Sequence, residues 1–183
     1  MPRIPYPDPS TLPETVRKML AGTPLNVVRM AAHASPALFE AAGRLGYAIS
    51  DPANLDPRVR ETAILRVAYL CDSRYELHQH LSLARTAGLS DAEIEAIDVE
   101  RYDRLDPVLA AVARFTDEVV RDISPSDAAL AALRVHVSDT VLINIVMCIG
   151  HYLSVARLVA VTGIEPDEEA LQQLPTNADE QAR

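Results

Sequence analysis

Ser35-Pro36, Asp56-Pro57 and Asp106-Pro107 each place a short capping side chain directly before a proline at the head of a run with helical apolar spacing. Each pair supplies what the first turn of a helix needs. The side-chain oxygen accepts an orphan backbone N–H, and the proline has no N–H to lose and a φ already set for the helix. Ser90 with Glu93 three residues on makes a capping box. Stops are marked by Gly88 after Ala87 and by Gly163 after Thr162. Between these marks apolar residues recur at three and four, as in Val59, Ala63, Val67 and Leu70, or Leu77, Leu81 and Ala84. No stretch alternates over more than a few residues, and there is no Asn-Gly or Asp-Gly hairpin signal. The chain therefore reads as all-α, with helices near 14–21, 24–32, 36–49, 57–71, 74–87, 90–97, 107–122, 126–136 and 139–162.

At 183 residues this is the length of one domain. Five prolines within residues 1–13 predict an extended arm that lies across its own domain or a neighbour. The domain proper is expected over 14–172, and residues 173–183 form a polar, frayed tail. With 17 Lys+Arg against 26 Asp+Glu the net charge is −9. That balance argues against nucleic-acid binding, which needs clustered positive charge. Aromatic residues make up only 4% and there is no Trp, so Ala, Leu, Val and Ile must build the core.

Two cysteines, Cys71 and Cys148, sit far apart inside apolar runs and are expected as buried thiols rather than a disulfide framework. The N-terminus has no apolar signal core, and a cytoplasmic location is expected. Residues 141–161 approach the length of a membrane span, but Asn144, His151, Ser154 and Arg157 interrupt them. A buried helix and no membrane partner are expected. A helix apolar nearly all round is either central in its bundle or buried between subunits. In so small a domain the second is expected, which makes the protein a homo-oligomer.

The polar residues of 57–87 are the most informative. At about 100° per residue, Glu76 and His80 share a helix face, and Ser73 joins them. His78 is about 200° from Glu76 and points elsewhere, so His78 and His80 cannot ligate together from one helix. The spacing Glu76-x-x-x-His80 is neither H-E-x-x-H nor the E-x-x-H of di-iron bundles, and no metal is expected. Two carboxylates and an imidazole in one dry pocket would form a coupled proton system. Burial raises a carboxyl pKa and a second carboxylate raises it further, which suits Glu61, Glu76 and His80 to general acid–base work. The plainer alternative is a surface Glu–His pair worth a few tenths of a kcal/mol. A separation beyond about 8 Å between the Glu61 carboxylate and the His80 ring would exclude direct or one-water proton transfer.

The run from Arg60 to Ser90 resembles the carboxymuconolactone decarboxylase family, which includes the alkylhydroperoxidase D-like proteins. That family opens an apolar helix with Arg-Glu, matched by Arg60-Glu61. It continues with C-x-x-C-x-x-x-H and ends a small-residue stretch in Ala-Gly-Leu-Ser/Thr, matched by Ala87-Gly88-Leu89-Ser90. His80 precedes Gly88 by eight residues, as the family histidine does. Glu61 takes the relay glutamate position. Ser73 and Glu76 stand where the two cysteines would be, with Tyr75 between them where the peroxidase branch can carry a relay histidine. Residues 150–158 resemble the family's Tyr-containing C-terminal helix. The resemblance implies an alkylhydroperoxidase D-like bundle of about eight to nine helices, assembled as a trimer or hexamer.

It also implies an enzyme. The departure at Ser73 and Glu76 removes the thiol pair on which peroxide reduction depends. The remaining pattern resembles the decarboxylase-like branch, acting without cofactor on a small carboxylated lactone or a related product of aromatic breakdown. In such chemistry His80 or Glu61 could return a proton, and Glu76 could fix the imidazole tautomer. An arginine, from among Arg44, Arg66, Arg74 and Arg157, could clamp a carboxylate. Tyr75, Asn144, His151 and Tyr152 are the candidate substrate contacts. The last three lie with Cys148 near one face of the long helix. A hydroperoxidase-like protein and a non-catalytic oligomeric binding module are the competing readings. Glu100, Asp103 and Asp106 around Tyr102 are expected to form a solvated loop.

Overall fold

A computed structural model describes residues 1–23 and 25–170. The expected polar tail lies outside the described residues, as does Pro24. Nine α-helices occur among the described residues: α1 Glu14–Gly22, α2 Asn26–Ala31, α3 Pro36–Ser50, α4 Pro57–Leu70, α5 Arg74–Thr86, α6 Asp91–Asp98, α7 Pro107–Asp122, α8 Asp127–Arg134 and α9 Asp139–Thr162. No strand occurs among them.

The capping pairs act as their chemistry requires. Asp56 Oδ1 accepts from the N–H groups of Arg58 and Val59, and Asp106 Oδ1 does the same for Val108 and Leu109. The Ser90–Glu93 box is closed in both directions. Gly88 and Gly163 have φ of 94° and 67°, the left-handed conformation that ends α5 and α9 without a Cβ clash.

Helix α4 is the axis of the bundle. Every residue from Val59 to Ala68 is buried, and α5, α6, α7 and α9 all pack around it. Two consequences follow from so central a helix. Its apolar positions carry the core with Ile97, Val112, Phe115, Ile145 and Ile149. Its polar positions, Arg60, Glu61, Thr62 and Arg66, must find partners inside the protein, because an unpaired buried charge is costly.

The N-terminal arm lies on its own chain. The Arg3 N–H donates to the Thr162 carbonyl at 2.6 Å, and His33 Nε2 meets the Pro5 carbonyl at 2.8 Å. Helix α9 is long and apolar enough to cross a membrane by length and composition alone. Here it packs on α4, α3, α2 and α7 with Ile145, Cys148, Ile149 and Tyr152 inward. It is not buried all round, because Ile143, Val146, Met147 and Val161 remain exposed.

Two expectations are corrected. Cys71 caps the end of α4 and is exposed, whereas Cys148 is buried. The segment around Tyr102 is a solvated loop only in part: Glu100 and Asp103 are exposed as expected, but Tyr102 is not. Tyr102 is buried and donates its hydroxyl to Asp117 at 2.7 Å, and Asp117 also pairs with Arg66. Glu100 Oε1 bridges Arg66 and Arg121.

Candidate active site

Antiparallel packing of α4 and α5 sets the first contact. Glu61, near the start of α4, faces His80 in the middle of α5, and Glu76 lies one turn before His80. All three side chains are buried among apolar neighbours. The Glu61 carboxylate accepts from His80 Nδ1 at 2.8 Å, while Nε2 lies 3.7 Å from Glu76 Oε2. Arg60 Nε donates to the other Glu61 oxygen at 3.0 Å, and its Nη1 donates to the Ser50 carbonyl at 2.9 Å. Glu61 is thus held between a guanidinium and an imidazole. An acceptor-only carboxylate at Nδ1 fixes the tautomer and leaves Nε2 as the working nitrogen.

His80 and Glu76 face a cavity of about 310 Å³. Its floor is α5, with Tyr75, Glu76, Gln79 and His80. One wall is α9, with His151, Tyr152, Ser154, Val155 and Leu158. Further lining comes from Phe39, Ala42, Gly43, Gly46, Tyr47 and Ser50 of α3 and from Met19, Val27, Val28 and Ala31 of the α1–α2 region. Gly46 matters here: a Cβ at that position would sit 3.5 Å from His151 Nε2, so a larger side chain would push into the ring. The Tyr152 ring stands edge-on to both His80 and His151, with centroids at 4.9 and 5.3 Å. That contact fixes the imidazole plane which the Glu61 bond alone leaves free to rock.

The electrostatics follow from burial and neighbours. Burial disfavours the charged His80 ring, but the Glu61 carboxylate and its hydrogen bond, with Glu76 beyond, outweigh this and raise the pKa above 6.5. Burial raises Glu76 above its ordinary 4.5; Glu61 adds to the rise and His80 opposes it. His151 is lowered by burial and by His80, which keeps it neutral. Burial and the nearby carboxylates hold the Tyr152 hydroxyl protonated. The result is a pair, Glu76 and His80, in which each group competes for one proton.

The expected site residues divide. Glu61, Glu76 and His80 come together. Tyr75, His151 and Tyr152 line the cavity with them. The Tyr75 hydroxyl is already engaged, donating to Asp167 and accepting from the Val27 N–H. Asn144 is not at the cavity; its amide donates to the Asn54 carbonyl at 2.8 Å. It shares the angular position of His151 but lies seven residues away, about 10 Å along the helix axis. The roles within the triad also differ from expectation. Glu61, not Glu76, fixes the imidazole, and Glu61 does not line the cavity, so it cannot itself deliver a proton there. None of the four arginines expected as carboxylate clamps lines the cavity, and Arg66 is bound to Asp117, Glu100 and two backbone carbonyls.

Sequence reasoning gave no role to Arg60 beyond its place in the Arg-Glu pair, and overlooked the α3 wall. Adjacent charges inside an apolar helix were the signal for the first. Glycines three apart in an Ala-rich helix were the signal for the second.

Comparison with known proteins agrees with this architecture. Residues 36–118, from the start of α3 to the last turn of α7, match the carboxymuconolactone decarboxylase family. No curated protein sequence matches the chain. Among solved structures, an uncharacterised peroxidase-related protein with an alkylhydroperoxidase AhpD core from Ralstonia eutropha superposes with a TM-score of 0.77 at 20% identity, covering 91% of this chain and 93% of that one. A protein of unknown function from Agrobacterium tumefaciens, proposed as an antioxidant defence protein AhpD, gives a TM-score of 0.68 at 24% identity over 75% and 96% of the two chains. These likenesses establish the fold.

Proposed function

Because residues 36–118 belong to the carboxymuconolactone decarboxylase family, we propose that this chain is an enzyme of that family, one that moves protons between His80, Glu76 and a small molecule held in the cavity. One observation carries this reading. A buried carboxylate holds Nδ1 of His80 at 2.8 Å, while Nε2 sits beside a second carboxyl at the cavity wall. This is the arrangement of a general base with its orienting group.

In the forward sense neutral His80 takes a proton from an activated C–H through Nε2. The C–H bond breaks, its electron pair passes into the adjacent carbonyl as an enolate, and the new imidazolium is stabilised by Glu61 at the other nitrogen. Protonated Glu76 is placed to hydrogen-bond the enolate or to return the proton. Decarboxylation of a carboxylated lactone uses the second half of the same chemistry. Carbon dioxide leaves with cleavage of the C–C bond, and the enolate left behind takes a proton from Nε2–H or from Glu76.

The test follows both halves in wild type and in Glu61→Gln, Glu76→Gln and His80→Ala. Carbon dioxide release from γ-carboxymuconolactone reads one half. Deuterium uptake from D2O into the activated C–H of β-tetralone reads the other. The reading expects any activity present to fall by about 10²-fold or more on loss of His80. An activity unchanged in all three variants removes it.

A homo-oligomer is proposed as well. Ile143, Met147 and Val161 of α9, flanked by Val146, fall on one exposed helix face. A second copy of the chain is its proposed occupant.

A further inference from the structure

The lining of the cavity restricts the molecule it can take. Away from Glu76 and His80 the walls are formed largely by apolar side chains such as Phe39, Val28, Val155 and Leu158. Among the described residues that line it there is no Arg or Lys. The nearest buried guanidinium, Arg60, already serves Glu61 and the Ser50 carbonyl. Formal charges close without a ligand. Arg60 and Glu61 cancel, and one proton shared by Glu76 and His80 leaves that pair neutral whichever group carries it. A ligand carboxylate would therefore arrive as an uncompensated charge beside two acidic residues. An ammonium would face an imidazole that competes for the same Glu76 carboxylate. Either loses hydration against the largely apolar walls, at a cost in free energy.

Volume adds the size. An apolar cavity of about 150 Å³ holds one benzene ring. At about 310 Å³ this one has room for two fused rings.

We infer that the cavity of this protein takes an uncharged, mostly hydrocarbon molecule of about two fused rings, which presents a single carbonyl-type polar group to His80 and Glu76. The inference rests on the proton-transfer reading only in taking this cavity as the place of reaction. It goes beyond that reading by excluding carboxylated substrates, and so keeps the enolising half of that chemistry without the decarboxylating half.

The test is equilibrium binding at neutral pH of three probes of one size: neutral β-tetralone, the anion β-naphthoate and the cation β-aminotetralin. β-Tetralone is expected to bind at least about tenfold more tightly than either ion, and to shift the His80 ring resonances. Equal or tighter binding of β-naphthoate or of β-aminotetralin overturns the inference. So does a failure of β-tetralone to bind, or its binding without a change at His80. Turnover is not read in this experiment, so the two readings fail separately. A tight β-tetralone complex with no deuterium exchange would remove proton transfer and leave the substrate class standing. Exchange that prefers a charged substrate would remove the substrate class alone.

Discussion

Glu61 stands behind His80, not beside the cavity. Its Oε2 accepts from Nδ1 at 2.8 Å while Nε2 points to the Glu76 side. On the proposed function, this separation would make Glu61 a positioning and charging residue, and Glu76 with His80 the pair to meet a bound molecule. Replacement of Glu61 by glutamine tests this division. The carboxylate that holds the His80 pKa above 6.5 would be lost, and burial, which acts in the opposite direction, would remain. The His80 pKa is expected to fall below 6.5 in Glu61→Gln, as read by NMR titration of the ring. A base-limited activity should then lose about 10²–10⁴-fold in rate, and its pH profile should move to lower pH. An unchanged His80 titration would remove Glu61 from the machinery.

The same shifts set a pH dependence of stability. Both Glu76 and His80 bind a proton more tightly in the folded protein than in the unfolded chain. For a raised pKa the folded state holds the extra proton, so stability falls as pH rises through the interval between the two values. The interval begins near 4.5 for Glu76 and near 6.5 for His80. Urea midpoints of the wild type should therefore decline as pH rises from about 4.5 upward and further above about 6.5, and the decline should be shallower in Glu76→Gln. A midpoint that rises with pH over that range, or the same slope in the variant, would show that the pair is not buried as described.

How much of this was legible in the sequence depends on how local each feature is. Helix ends were legible because a cap acts on the next two or three residues. Asp56 and Asp106 start α4 and α7 where their prolines stand. The shared face of Glu76 and His80 was legible for the same reason. Which ring nitrogen Glu61 would reach was not, because that depends on how α4 crosses α5. Asn144 shares a helix face with His151 but lies two turns away along the axis, where the Asn54 carbonyl holds its side chain. The burial of Tyr102 was not legible because its partner Asp117 comes from α7, and Glu100, though exposed, bridges Arg66 of α4 and Arg121 of α7. The cavity wall of α3 was hidden because Gly43 and Gly46 contribute by lacking a side chain.

Thiol chemistry gives a third expectation. The Cys148 thiol is pushed up by burial and by Glu61, and the exposed residue Cys71 carries a partly desolvated thiol that is also raised. Neither is a ready thiolate, and the resemblance puts Ser73 and Glu76 where a reactive thiol pair would stand. Peroxide consumption by the reduced protein should be no faster than that of a free thiol at the same concentration. It should not change in Cys71→Ser or Cys148→Ala. Rapid turnover that both substitutions abolish would favour the hydroperoxidase reading over the one proposed here.

The exposed face of α9 supplies the last expectation. Ile143, Met147 and Val161 recur on one side of the helix, and Met147 sits near the middle of that stripe with about half its surface open. A glutamate at Met147 costs a folded monomer little, since the side chain already meets water. At an interface between copies it would bury a charge with no partner. Light scattering should therefore give an assembly for the wild type and a smaller species for Met147→Glu, with the helical circular dichroism unchanged. A wild-type monomer, or an assembly that Met147→Glu leaves intact, would place this face outside any contact between subunits.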